Sequence, residues 1–133
     1  MLLLIKLIVQ IMLQLINNLP AHVVGLHAFE TVTEIEYKDA LIPLLENLLK
    51  SNKRINFVLV LETDIVNFAS GIWCGNVKIG LRFFFRWNKV AIVTDQKKVL
   101  GYSDLFKYLI PGKFRNFRLD ELDKAIRWVS QNK

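Results

Sequence analysis

The apolar run VAIV at residues 90–93 constrains the fold more than any other stretch of this chain. The run is unbroken and rich in β-branched residues, but it is too short to form a helix. Such a run is typical of a strand that is covered on both faces, as in a parallel sheet with helices above and below it. Thr94 and Asp95 end the run, and Asp95 is well placed to cap a following helix. We therefore predict a buried central strand here.

Further strand and helix patterns alternate along the rest of the chain. Strands are predicted at residues 13–16, 23–29, 55–61 and 114–117, and helices at about 34–50, 68–84, 99–109 and 120–129. Gly25 is expected to interrupt its strand. Thr33 and Glu36 should form a capping box at the start of the first helix, and Pro43 should kink that helix. The alternation predicts an α/β domain with a mainly parallel sheet of four to five strands, right-handed crossovers and about four flanking helices.

Residues 1–16 are almost wholly apolar, and two interpretations of them stay open. The run contains Lys6 and stops at Asn17, so it is shorter than the ~20 residues that a spanning helix needs. It also lacks the basic start and the cleavage site of a signal peptide. As a helix it would present a wide apolar face for a membrane, a partner subunit or a groove to cover. Alternatively, Met12 is the original start. We therefore divide the chain into an apolar extension, residues 1–11, and a domain, residues 12–133.

Positive charge is concentrated in the second half of the chain. Between residues 78 and 118 there are two acidic residues and ten basic ones, namely Lys78, Arg82, Arg86, Lys89, Lys97, Lys98, Lys107, Lys113, Arg115 and Arg118. This stretch carries a formal charge of +8, whereas the rest of the chain carries −2. Such a distribution favours an anionic partner, which could be a membrane surface, a nucleic acid or a phosphorylated ligand, although a solvated rim around a sheet would look the same.

No sequence pattern in the chain indicates an enzyme. There is no glycine-rich phosphate loop, no zinc-ligand spacing and no nucleophile elbow. His22 and His27 lack a neighbouring ligand residue, and we assign both to structural roles. The single cysteine, Cys74, excludes an intrachain disulfide and fits a reducing, cytoplasmic location. We therefore expect no catalytic residue, no metal and no cofactor. Nucleic-acid binding is also disfavoured, since the chain offers no recognition helix or stacking sheet.

The sharpest local signal is a cluster of aromatic and basic residues at positions 82–87, RFFFRW. Three successive phenylalanines cannot all face one core from a helix, because neighbouring side chains point about 100° apart. At least one ring should therefore be exposed, and the flanking arginines make the segment suitable for contact with a membrane interface. The predicted contact residues are Trp73, Arg82, Phe83, Phe84, Phe85, Arg86, Trp87, Lys97 and Lys98.

Three blocks of sequence together resemble the SpoIIAA-like family, which is related to the STAS domain. The first comprises residues 32–37 and 41–43, the second pairs KIGLR at 78–82 with VAIVTD at 90–95, and the third comprises LIPG at 109–112, Phe117 and ELDKA at 121–125. The resemblance covers roughly residues 12–131. The chain departs from the family pattern at Trp73, which lies one position early, and at residues 74–76, where Cys74, glycine and asparagine replace an aromatic residue and an acidic pair.

The resemblance implies a small domain that is usually not an enzyme and is often a dimer. Similarity of this fold to the lipid-carrying CRAL-TRIO fold implies membrane contact or an apolar ligand. Related STAS domains are partners of regulatory proteins and are switched by phosphorylation. Ser70 and Gly71 occupy the position at which STAS relatives carry their phosphorylation motif, with Phe68 and Ala69 in place of its acidic residue and first serine. Ser70 is therefore a candidate phosphorylation site, although Ser70 as a helix cap is the simpler interpretation.

These observations lead to one hypothesis and one rival. The hypothesis is a cytoplasmic, non-catalytic binding module that engages an anionic membrane surface or a lipid-like apolar ligand through residues 73–87 and the helix after Asp95. The rival is a STAS-type protein-interaction regulator switched at Ser70. The sequence identifies neither the ligand nor the partner, and it does not decide whether the chain forms a homodimer.

Overall fold

The domain is built on a five-stranded sheet. The computed structural model describes residues 13–16, 18–28, 34–62, 82–83, 85–95 and 112–131. The strands are β1 (Leu13–Leu15), β2 (Val23–Ala28), β3 (Ile55–Leu61), β4 (Trp87–Val93) and β5 (Lys113–Phe117), and the helices are α1 (Glu34–Leu49) and α2 (Leu122–Ser130), the second preceded by a 3₁₀ turn (Leu119–Glu121).

The strands follow one another across the sheet in chain order, β1-β2-β3-β4-β5. β2 to β5 are parallel, and β1 pairs with β2 in the antiparallel sense. The parallel α/β architecture, the buried central strands and the edge strand near residue 13 are therefore confirmed. Two of the roughly four predicted helices lie among the described residues. The helices predicted at about 68–84 and 99–109, and the Thr33 cap, fall largely or wholly outside them.

Side chains pack on both faces of the sheet. The first core lies between α1 and one face, where Leu41, Leu45 and Leu48 of α1 are buried at the helical spacing expected from the sequence. The second core lies between α2 and the other face, where Ala125 and Val129 are fully buried. Strand β3 is buried along all seven residues, because its side chains alternate between the two cores.

Gly25 and Pro43 are both accommodated within regular elements. β2 continues through Gly25, so the predicted interruption is wrong. The Gly25 carbonyl accepts a hydrogen bond from the amide of Ile16 at 3.0 Å. A Cβ at residue 25 would lie 2.9 Å from Cδ1 of Ile16, which explains why glycine occupies this position. Pro43 is exposed inside α1, and the helix extends beyond it to Leu49.

One irregularity in the sheet has consequences for the site. Ile55 pairs with Trp87, whereas the next residue, Asn56, pairs with Lys89, so Asn88 is an extra residue in β4. A bulge of this kind shifts the side-chain alternation by one position. Trp87 consequently joins the first core, while Lys89 lies on the opposite face, toward α2.

Asp95 has a contact that the sequence did not indicate. Its Oδ1 accepts a hydrogen bond from the amide of Leu119 at 3.0 Å, which ties the end of β4 to the 3₁₀ turn after β5. The helix that Asp95 was expected to cap would begin at residue 96, outside the described residues.

Candidate functional site

Positively charged loops precede β3 and β4, and because these strands are parallel, both loops lie at the amino end of the sheet. Lys53 and Arg54 come before β3, and Arg86 comes before β4; all three are exposed. The amide of Ile55 donates to the Arg86 carbonyl at 2.8 Å, and Nη1 of Arg86 donates to the Lys53 carbonyl at 3.3 Å. These bonds join the two loops into one surface. We call Lys53, Arg54, Arg82, Phe85 and Arg86 the basic–aromatic rim.

The aromatic residues of the predicted cluster separate into buried and exposed rings. Phe85 is 83% exposed, as the triple-phenylalanine argument required of at least one ring. Phe83 and Trp87 are only 8% and 6% exposed, and both pack in the first core. The structure therefore removes Phe83 and Trp87 from the surface available for contact. They hold the segment against the domain, since the bulge at Asn88 turns Trp87 inward.

The two arginines of the cluster have different surroundings. The guanidinium of Arg82 donates to Oε1 of Glu46 at 2.5 Å and lies over the ring of Phe83, with Cζ 5.1 Å from the ring centroid. This exposed ion pair reduces the positive potential that Arg82 presents. Arg86 has the backbone of Lys53 as its hydrogen-bond acceptor, so its full charge contributes to the rim.

The other predicted site residues lie outside the described residues. These are Trp73, Phe84, Lys97, Lys98 and the candidate phosphorylation site Ser70. Their roles stay predictions.

Sequence reasoning did not single out Lys53 and Arg54, which lie between the predicted first helix and the strand predicted at residues 55–61. A usable signal was present, because the amino ends of neighbouring parallel strands meet at one end of a sheet. Lys89 is the opposite case. It was counted in the basic stretch as a surface charge, but it is 1% exposed, and Nζ donates to the carbonyls of Trp128 and Gln131 at 3.1 and 3.2 Å. Its charge therefore interacts with groups inside the domain and not with a partner at the surface.

A polar cleft with a volume of about 390 Å³ opens beside the rim. The described residues that line it are His22, Asn52, Lys53, Arg54, Asn56, Asn88 and Gln131. Nδ2 of Asn88 donates to Oδ1 of Asn56 at 2.8 Å, and Nδ2 of Asn56 donates to the His22 carbonyl at 3.2 Å. The His22 ring in turn contacts the Ser130 carbonyl through Nε2 at 2.8 Å.

A second cavity, of about 430 Å³, lies between β5 and α2. Its described lining is mostly polar and includes Arg115, Lys124, Arg127 and Glu121, together with the aromatic residues Phe117 and Trp128. The guanidinium of Arg115 lies 5.1 Å from the ring centroid of Phe117. Neither of these two cavities has the apolar walls that a lipid tail would need.

The described residues give no sign of a metal centre. Within residues 13–16, 18–28, 34–62, 82–83, 85–95 and 112–131, no three His, Cys, Asp or Glu side chains are grouped so that they could hold an ion. His27, one of the two histidines assigned to structural roles, places Nε2 3.3 Å from the carboxylate of Glu62. Neither α1 nor α2 combines the length and the hydrophobicity needed to cross a membrane.

Comparison with known proteins identifies the family. A family model described as SpoIIAA-like matches residues 23–130, which is most of the chain. The chain therefore belongs to the SpoIIAA-like family, as the sequence blocks predicted. No curated protein matches it.

A solved structure shows the same fold. It is the crystal structure, at 2.25 Å resolution, of an uncharacterised protein of the DUF3478 family from Shewanella loihica PV-4, which has a SpoIIAA-like fold. The two chains superpose with a TM-score of 0.61 and are 21% identical, over 80% of this chain and 83% of the other. The fold is compatible with a STAS-type interaction module.

Proposed function

We propose that this protein is a non-catalytic binding module that contacts an anionic membrane surface through the basic–aromatic rim. The observation that carries the proposal is Phe85, a large apolar side chain that is 83% exposed and adjoins Arg86. An exposed ring flanked by cations suits the boundary between lipid head groups and acyl chains, where the ring is buried and the charges meet phosphate. Because the cytoplasmic leaflet is the anionic one, the proposal places the protein at the cytoplasmic face of a membrane.

The strength of this contact can be estimated from the rim. Each Lys or Arg near an anionic surface contributes about 1 kcal/mol, so Lys53, Arg54 and Arg86 supply about 3 kcal/mol. Arg82 is left out because Glu46 pairs with it. Burying the ring of Phe85 adds about 2 kcal/mol. A total of about 5 kcal/mol corresponds to a dissociation constant of a few tenths of a millimolar, which is weak, reversible binding.

The alternative occupant, a lipid-like apolar ligand, has less support. Two cavities whose lining residues the structure describes have mostly polar walls, and an apolar ligand in the cleft beside the rim would bury side-chain amides without hydrogen-bond partners. We therefore favour the surface over an enclosed ligand.

Liposome flotation tests the proposal by comparing vesicles that contain phosphatidylserine with vesicles of phosphatidylcholine alone. Phe85→Ala should weaken binding to the anionic vesicles about 30-fold, which is the effect of 2 kcal/mol. Arg86→Gln should weaken it about fivefold. Both side chains are exposed, so the fold should tolerate the changes.

Arg118→Gln is the control for net charge, because it removes one positive charge, as Arg86→Gln does. Arg118 is exposed and forms ion pairs with Asp120 and Glu121, and it follows β5 at the carboxyl end of the sheet, away from the rim. Removing its charge should leave vesicle binding almost unchanged. Equal recovery with anionic and neutral vesicles, no recovery with either, or equal losses for Arg86→Gln and Arg118→Gln would each refute the proposal.

Family membership favours a second candidate, a protein-interaction regulator switched by phosphorylation at Ser70. Phosphate mapping and a pull-down with Ser70→Asp separate the two functions. The regulator predicts that the set of captured partners changes with Ser70→Asp, whereas membrane contact through the rim predicts that vesicle binding does not respond to it.

A further inference from the structure

The polar cleft beside the rim contains a side-chain amide whose orientation is fixed by its neighbours. The His22 carbonyl can only accept a hydrogen bond, so Asn56 must direct its NH₂ group toward it and its Oδ1 toward Asn88. Asn56 is 6% exposed and thus held in place. Asn88 must therefore donate one N–H to Asn56, which leaves its second N–H and its Oδ1 for a solute in the cleft.

The sheet bulge explains why Asn88 lies in the cleft. Asn88 is the extra residue of β4, between the pairs Ile55–Trp87 and Asn56–Lys89. Bulges in sheets redirect side chains and are frequent next to functional sites. Here the bulge brings two asparagine side chains within 2.8 Å of each other at the amino end of the sheet.

The charges around the cleft favour an anion. Lys53 and Arg54 line it, and none of its described lining residues is acidic. The formal charge of +2 complements a phosphate monoester, while the amides suit neutral hydroxyl groups, to which they can both donate and accept. A volume of about 390 Å³ is at the small end of the range for ligand sites, so a compact ligand fits best.

We propose that the cleft binds a phosphate monoester on a polyhydroxylated carrier, with Lys53 and Arg54 on the phosphate and the Asn88 amide on a neighbouring hydroxyl. For a lipid as the source, the inference rests on the proposed function. The hydrogen bond from Arg86 to the Lys53 carbonyl ties the cleft to the rim, so a phosphorylated inositol head group would enter the cleft while Phe85 enters the bilayer. A free phosphorylated polyol offers the same chemistry without a membrane.

Vesicles matched in surface charge test the selectivity. One set contains phosphatidylserine, and the other contains phosphatidylinositol phosphate. The wild-type protein should bind the second set about fivefold more tightly, which is the effect of one neutral hydrogen bond of about 1 kcal/mol between the Asn88 amide and a hydroxyl group. Asn88→Leu should abolish this preference and keep the binding to phosphatidylserine.

Gln131→Glu is a second variant that does not depend on the buried amide. Gln131 is exposed, and a carboxylate there would repel phosphate while leaving the fold intact. Asn47→Asp, on the exposed side of α1, makes the same amide-to-carboxylate change outside the cleft lining and should keep the preference. Equal binding to both vesicle sets, or a preference that survives both Asn88→Leu and Gln131→Glu, would overturn the inference.

Soluble inositol phosphate separates the two sources and the two proposals. Perturbation of the His22 and Asn88 amide resonances by this probe supports the cleft as its site, and the absence of any perturbation overturns it. If soluble inositol phosphate binds as tightly as the vesicles that contain phosphatidylinositol phosphate, the cleft is supported as the binding site, but a lipid is overturned as the source of the phosphate monoester. If phosphatidylserine vesicles fail to bind while the soluble probe does, the membrane proposal fails and the cleft stands.

Discussion

Replacing Lys89 with methionine is the change with the most informative expected outcome. The Lys89 side chain is 1% exposed, and its ammonium donates to the carbonyls of Trp128 and Gln131 and lies 5.5 Å from the centroid of the Trp128 ring. The last carbonyls of a helix have no partner within the helix, and a lysine can satisfy them from outside. Lys89 thus joins the central sheet to the end of α2.

The expected cost of Lys89→Met is the difference between opposing contributions. Hydrogen bonds from a charged donor contribute about 1.5–3 kcal/mol each, and the cation–π contact about 1 kcal/mol. Desolvation of the ammonium offsets several kcal/mol of this, and methionine removes that penalty while filling a similar volume. Gln131 is exposed, so water can reach its carbonyl. The Trp128 carbonyl keeps a second, longer hydrogen bond, at 3.4 Å, from the amide of Gln131. We expect a net loss of about 1–2 kcal/mol in the free energy of unfolding, from the charged hydrogen bonds that the lysine no longer makes.

The pH dependence provides a second readout for the same variant. Burial, and to a smaller extent the charge of Lys113, lower the pKa of Lys89 below its ordinary value of 10.5. Between the lowered pKa and 10.5, the unfolded chain binds more protons at this site than the folded one. The wild-type free energy of unfolding should therefore rise with pH across this window, relative to that of Lys89→Met, and the difference should be constant below it.

Urea unfolding followed by tryptophan fluorescence, near neutral pH and at intervals toward pH 10.5, measures both effects. Lys113→Met is the control for stability near neutral pH, because Lys113 is exposed. It should change the free energy of unfolding there by less than about 0.5 kcal/mol. Lys113 pairs with Lys89 across the sheet and its charge contributes to the lowered pKa of Lys89, so this variant should also narrow the pH window over which stability rises. If Lys89→Met is as stable as the wild type, or if the two proteins show the same pH dependence, the assigned role of Lys89 is wrong.

Three further changes test the packing and the charges of the domain. Gly25→Ala should cost about 1–3 kcal/mol of unfolding free energy, because the new Cβ would meet Cδ1 of Ile16 at 2.9 Å. Leu45→Ala should cost about 2–5 kcal/mol, since Leu45 is fully buried in the first core; both losses are measured by urea unfolding. The backbone N–H of Arg118 lowers the pKa of Glu121 below 4.5, so wild-type stability should fall as the solution is acidified through that lowered pKa, and Glu121→Gln should lack this part of the acid dependence in a pH titration of thermal unfolding.

The sequence was sufficient to predict the architecture, because each buried element carries a short-range pattern. The β-branched run at residues 90–93 and the apolar residues 55–61 identify two covered strands, and the helical spacing of leucines in α1 identifies the face that packs on them. Alternation of such patterns implies parallel pairing, which is what the register between β2, β3, β4 and β5 shows.

The site was only partly predictable, and the bulge at Asn88 is the main reason. A single extra residue moves the side chains that precede it in the strand to the opposite face of the sheet, and no local sequence pattern indicates where the bulge lies. The exposure of one phenylalanine follows from helical geometry, but which one, and whether Trp87 points inward, depends on the register of β4 against β3. The burial of Lys89 escaped prediction for a related reason, since it requires the end of α2 to lie over β4.

The same bulge connects the core with both proposed sites. It turns Trp87 into the first core, which anchors the segment that carries Phe85 and Arg86. It also brings Asn88 to Asn56 and so forms the polar wall of the cleft. A regular strand would place residue 87 on the side of α2, where it would compete with Lys89 for the space near Trp128. The rim and the cleft therefore depend on one local feature of the backbone, which explains how an exposed aromatic ring and an amide-lined cavity come to lie side by side.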